Sequence, residues 1–67
     1  MRQIALTKRY SKRPVQVEVR RIVVVEQADD GTVLEITGAE DLVVEEKAAY
    51  IQELLTQDEV LSIQWYG

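Results

Sequence analysis

Apolar and polar positions alternate with a period of two over much of the first half of the chain, and the spacing turns helical in the second half. Ile4 and Leu6 alternate with Gln3 and Ala5, which predicts a short strand over about residues 2–7. The run from Thr7 to Pro14 is polar, basic and closed by a proline, so it reads as an exposed loop. Val15, Val17 and Val19 then alternate with Gln16, Glu18 and Arg20, and Ile22 to Val25 continue without a polar break. Strict alternation would put Arg21 on the valine face between Val19 and Val23. An extra residue at Arg20-Arg21 restores the pattern with Ile22 and Val24 inward, so a bulge or bend is expected there.

Asp29-Asp30-Gly31 lies between two β-branched runs and is the strongest hairpin signal in the chain, with Gly31 supplying the positive φ of the turn. A strand over residues 32–37 follows, and then a second turn-like cluster from Thr37 to Asp41. Thr37 and Glu40 have capping-box spacing. At about 100° per residue, however, a helix starting there would turn Leu42 away from the face holding Val44, Ala48, Ile51 and Leu55. Residues 41–44 are therefore expected as a brief strand. The helix is expected from near Glu45 to about Gln57, with Ala48, Ile51, Leu54 and Leu55 as its apolar stripe and Glu45 and Glu46 where the dipole favours acids. After a break at Asp58-Glu59, Val60 to Tyr66 allows a terminal strand with Leu61, Ile63 and Trp65 on one face and Tyr66 on the other. The expected fold is α+β: a small antiparallel sheet of four or five strands in the order β-β-β-β-α-β, packed on one short helix.

The block from Ile22 to Leu55 joins a valine-rich strand, an Asp-Asp-Gly turn, a Thr-Val-Leu-Glu-Ile-Thr-Gly strand, a Val-Val-Glu edge and a short helix. This order resembles the layout of the small FlbD-type flagellar-associated proteins. The likeness covers about half of the chain and is one of pattern, with no polar motif to carry over. The basic first hairpin and the Trp65-Tyr66 strand depart from it. The resemblance implies a hairpin followed by a helix, and no function is carried over from it.

At 67 residues the chain is expected to form one small domain, near the lower limit at which an apolar core suffices without metals or crosslinks. Self-association would increase the area buried per chain, so a homo-oligomer is expected. Hydrophobic residues make up 46% and charged residues 30%, which places the chain among folding sequences and not among disordered acidic tails. With no Phe and a single Trp, the core must be aliphatic. The absence of both Cys and His removes disulfides, thiolate metal sites, the commonest zinc ligand and the commonest general base, so no cofactor and no metal are expected. The apolar core at Ile4–Leu6 is too short for a signal peptide, and no run approaches the roughly 18 apolar residues of a membrane helix. A cytoplasmic protein with no membrane partner is the expectation.

Charge changes this picture most. Arg2, Lys8, Arg9, Lys12, Arg13, Arg20 and Arg21 against Glu18 leave the first 21 residues at +6, while Lys47 against eleven acids leaves the remainder at −10, together the −4 of the whole chain. This polarity favours a binding face over a reaction centre. Lys8, Arg9, Lys12 and Arg13 would attract an anionic partner, with Tyr10 and Tyr66 adding contact area. Arg20 and Arg21 offer planar guanidinium forks, or charge that protects an edge strand.

The leading expectation is a non-enzymatic protein–protein interaction module, a small regulatory or accessory factor of bacterial or phage type, with a protein partner of unknown identity. Nucleic acid is a possible partner through the same basic hairpin, since clustered cations release counterions and a tyrosine can stack on a base. A pI near 4.6 counts against it. A third alternative is an acidic inhibitor that mimics DNA through Glu40, Asp41, Glu45, Glu46, Glu53, Asp58 and Glu59, although such charge is ordinarily there for solubility. Asp29-Asp30 lacks the ligand number calcium prefers. Ser11 and Ser62 have no histidine to activate them, so no catalytic residue is expected. Ser11 after Lys8 and Arg9 has the setting of a kinase site, but reads first as a turn residue.

Overall fold

In the computed structural model, which describes residues 2–56 and 62–67, each alternating stretch becomes a strand and the helically spaced stretch becomes a helix. The elements are β1 (Gln3–Thr7), β2 (Pro14–Glu18), a 3-10 turn (Val19–Arg21), β3 (Ile22–Ala28), β4 (Gly31–Ile36), β5 (Leu42–Val44), α1 (Ala48–Leu55) and β6 (Gln64–Tyr66). The fold is α+β as expected, with six strands in the order β-β-β-β-β-α-β.

The extra strand comes from Val15–Val25. The expected bulge or bend at Arg20-Arg21 is a 3-10 turn that divides this stretch into β2 and β3. A register shift follows between Ile22 and Val24. It leaves Ile22 and Val25 buried, corrects the inward assignment of Val24, and leaves Val23 42% exposed.

β1 and β2 pair antiparallel, and a second sheet has the order β5-β4-β3-β6, with β6 parallel to β3 and the other neighbours antiparallel. Lys8 bridges to Val44, while Arg9 N donates to Val43 O and Glu45 N to Thr7 O, both at 2.9 Å. The end of β1 is thereby fastened to β5, so the two sheets meet there, and among the described residues β2 and β6 have no further strand neighbour. Ile4, Leu6 and Val17 of the hairpin, Val25, Leu34 and Val44 of the sheet, and Ile51 and Leu55 of α1 bury into one core. At about 1.5–3 kcal/mol for each fully buried aliphatic side chain, this cluster is what opposes the chain's conformational entropy.

At the Asp29-Asp30 turn, Gly31 has φ +154°, and an added Cβ would stand 2.8 Å from Val44 O. The close approach of β5, more than the turn itself, demands glycine. α1 begins at Ala48, three residues later than expected from Glu45, so neither Glu45 nor Glu46 stands in its first turn. Gln27 of β3 caps the helix instead: its Oε1 accepts from Ala48 N at 2.8 Å while its Nε2 donates to Ala28 O and Gly31 O. Beside it the buried Thr32 hydroxyl donates to Glu46 O at 2.6 Å. Trp65 packs against the core from β6, and Tyr66 on the opposite face is 55% exposed. The expected helix end at Gln57, the break at Asp58-Glu59 and the facing of Leu61 lie outside the described residues.

Candidate interaction surface at the first hairpin

The tip of the β1–β2 hairpin is a closed loop. Lys8 N donates to Arg13 O at 2.9 Å and Lys12 N donates to Lys8 O at 3.0 Å. To close it the chain places Lys12 at φ +62°, a left-handed conformation that an L-residue adopts at a cost of about 1–2 kcal/mol. Three contacts with distant segments offset that cost. Arg9 Nε donates to Asp30 O in the β3–β4 turn, the Tyr10 hydroxyl donates to Asp30 Oδ2 at 3.3 Å, and the Lys12 ammonium donates to Glu45 Oε2. Arg9 Nη1 stands a further 3.8 Å from the same Glu45 oxygen.

Glu45 is the electrostatic centre of this arrangement. The hydrogen bond from Lys12 holds its carboxyl below the usual glutamate pKa against the opposing effect of desolvation, and the charges of Lys12 and Arg9 add to the lowering. Its neighbour Glu46 turns back and accepts from Thr7 N at 2.9 Å. These acids of the expected helix start thus serve the hairpin.

The expected binding residues do not form one patch. Lys8, Arg9, Tyr10, Lys12 and Arg13 gather at the tip. Arg20 and Arg21 sit at the far end of β2, roughly 17 Å of strand away at about 3.3 Å per residue. Arg21 there donates to Thr37 O from Nε and Nη2, at 2.9 and 2.6 Å, and holds the β4–β5 turn. Tyr66 lies across the sheet on β6, in register with Glu26, Val33 and Val43. The basic front is also only partly open. Arg9 and Lys12 share the one carboxylate of Glu45, whereas Lys8, Arg13 and Arg20 are exposed and form no ion pair among the described residues. Tyr10 projects from the fastened loop with 73% of its surface exposed.

The sequence reading missed Asp30 and Glu45 as anchors of this surface. Asp30 read only as a turn residue and Glu45 as the start of a helix, and their pairing with positions 20 and 33 residues away leaves no local signal. Among the described residues no group of three or more acids is placed to hold a metal ion, and no helix is long and apolar enough to cross a membrane. No family model, no curated protein and no solved structure matches the chain. The likeness of Ile22–Leu55 to the FlbD-type layout rests on the order of hairpin, short strand and helix alone.

Proposed function

We propose that this chain is a non-enzymatic protein-binding module, a small self-associating regulatory or accessory factor of bacterial or phage type working in the cytoplasm, and that the hairpin tip receives its partner. The observation that carries this reading is Tyr10. Its loop is tied to β5, to Asp30 and to Glu45, yet the ring stands largely in solvent on a loop that also carries the exposed cations Lys8 and Arg13. A tyrosine held out by a pre-ordered loop loses little conformational freedom on binding, which is the setting of an interface anchor. The flanking charges favour a partner with an acidic rim around an apolar pocket.

Nucleic-acid binding draws on the same residues but has less support, because Arg9 and Lys12 are already engaged by Glu45 and the chain as a whole carries −4. The mimicry alternative also has less support: Glu45 is engaged by Lys12 and Arg9, and Glu46 by Thr7. The test is affinity capture from the native cell or host with and without nuclease, using the wild-type chain and Tyr10→Ala/Arg13→Glu. A protein retained after nuclease and lost with the variant supports the reading. Material that disappears on nuclease treatment overturns it in favour of nucleic acid.

A further inference from the structure

β2 is a sheet edge whose unpaired backbone groups match those of a second copy of the same strand. Lys8 N donates to Arg13 O at one end of the β1–β2 ladder and Val19 N donates to Arg2 O at the other. The pairs Ile4↔Val17 and Leu6↔Val15 lie between them in the same register. Bonded and non-bonded pairs alternate along an antiparallel ladder. Val15 and Val17 therefore direct their amides and carbonyls toward β1, and Pro14, Gln16 and Glu18 direct theirs to the other side. No strand among the described residues pairs there.

Two of those outward groups need no partner. Pro14 has no N–H, and the Glu18 carbonyl accepts the first i→i+3 bond of the 3-10 turn. What remains is the Pro14 carbonyl, both groups of Gln16 and the Glu18 amide: two donors and two acceptors. About a two-fold axis at Gln16, Gln16 of each copy exchanges both bonds with its equivalent, and each Glu18 amide meets the Pro14 carbonyl of the other copy. A proline on an edge strand ordinarily blocks further pairing. Here its missing donor falls opposite the carbonyl that the 3-10 turn already occupies, so no group is left unsatisfied.

Side chains agree with this register. Val15 faces Val17 of the second copy on the inner side. There a cleft of about 260 Å³ runs along the β2 edge, with Val15, Val17, Ile36 and Leu42 among its lining residues. We infer that β2 is the self-association surface: two copies of this chain pair β2 to β2, antiparallel about Gln16, into a continuous β1-β2-β2-β1 sheet. The inference rests on the self-association in the proposed function and gives it a surface distinct from Tyr10.

The chain has no cysteine, so single cysteines read the contact directly. In a bonded antiparallel pair the Cα atoms are about 5.5 Å apart, within the span of a disulfide. Gln16→Cys should oxidise to a covalent dimer, while Glu18→Cys, about 13 Å from its equivalent along the strand, should stay monomeric under the same conditions. In sedimentation of the full chain, Gln16→Pro should raise the dimer dissociation constant by about tenfold or more. For the wild type, which requires no variant to fold, exchange of the Gln16 and Glu18 amides should slow as concentration rises. A wild-type chain that stays monomeric, equal crosslinking at the two positions, or exchange independent of concentration overturns the inference. Association that survives Gln16→Pro but is lost in Tyr10→Ala/Arg13→Glu also overturns it, assigns self-association to the hairpin tip, and leaves the proposed function standing.

Discussion

Lys12 and Glu45, 33 residues apart in the chain, meet as an ammonium–carboxylate pair at the tip of the first hairpin. The pair turns a basic loop into an ordered platform and offsets one of its four positive charges, and Arg9 leans on the same carboxylate. The cationic front of the sequence becomes, in three dimensions, a fastened loop that carries an exposed tyrosine together with Lys8 and Arg13, which form no ion pair among the described residues.

This pair has a pH signature. Glu45 has a folded pKa below its unfolded value, so its contribution to stability is complete above the ordinary glutamate pKa of about 4.3 and is lost as pH falls through the folded value. Glu45→Gln should lower Tm at neutral pH, and the gap between variant and wild type should close as pH falls below that range. Thermal melts of both proteins across the acid range check this. A gap that widens on acidification contradicts it.

Lys12 yields a sign test. Both Lys12→Gly and Lys12→Ala remove the ion pair, but only glycine relieves the left-handed backbone at φ +62°. Denaturant unfolding should find the glycine variant more stable than the alanine variant by about 1 kcal/mol, although glycine ordinarily loses to alanine through the entropy of the unfolded chain.

Gln27 carries more of the fold than its half-buried place on β3 suggests. It supplies the acceptor for the first amide of an eight-residue helix and donates to two carbonyls of the neighbouring turn. Gln27→Leu leaves those groups unsatisfied and should cost about 1–3 kcal/mol in urea unfolding. A loss within about 0.5 kcal/mol, the ordinary range for surface changes, would contradict the capping role.

Local pattern was enough to read the α+β class, the Asp29-Asp30-Gly31 hairpin, the brief strand at Leu42–Val44 and the apolar stripe of α1, because each rests on the spacing or turn chemistry of neighbouring residues. The helix start was misplaced because its cap is Gln27, twenty-one positions earlier on another strand, so Glu45 and Glu46 were free to serve the hairpin. The division of Val15–Val25 was legible as a fault but not as a 3-10 turn, since valine and arginine carry no turn chemistry. Of the candidate contact residues, those adjacent in sequence stayed together at the tip. Arg20, Arg21 and Tyr66 were separated from it by the length of β2 and the width of the sheet, which no periodicity encodes.

Two exposed tyrosines separate the proposed contact from general stickiness: Tyr10 on the hairpin tip, 73% exposed, and Tyr50 on α1, 48% exposed. The most direct measurement places a photo-crosslinking phenylalanine analogue at position 10 or at position 50 of the full chain in the native cell or host and identifies the adducts by mass. The account predicts a discrete adduct with a second protein from position 10, abolished when Arg13→Glu is added, and none from position 50. Adducts of equal yield from both positions, or none from position 10, would contradict it.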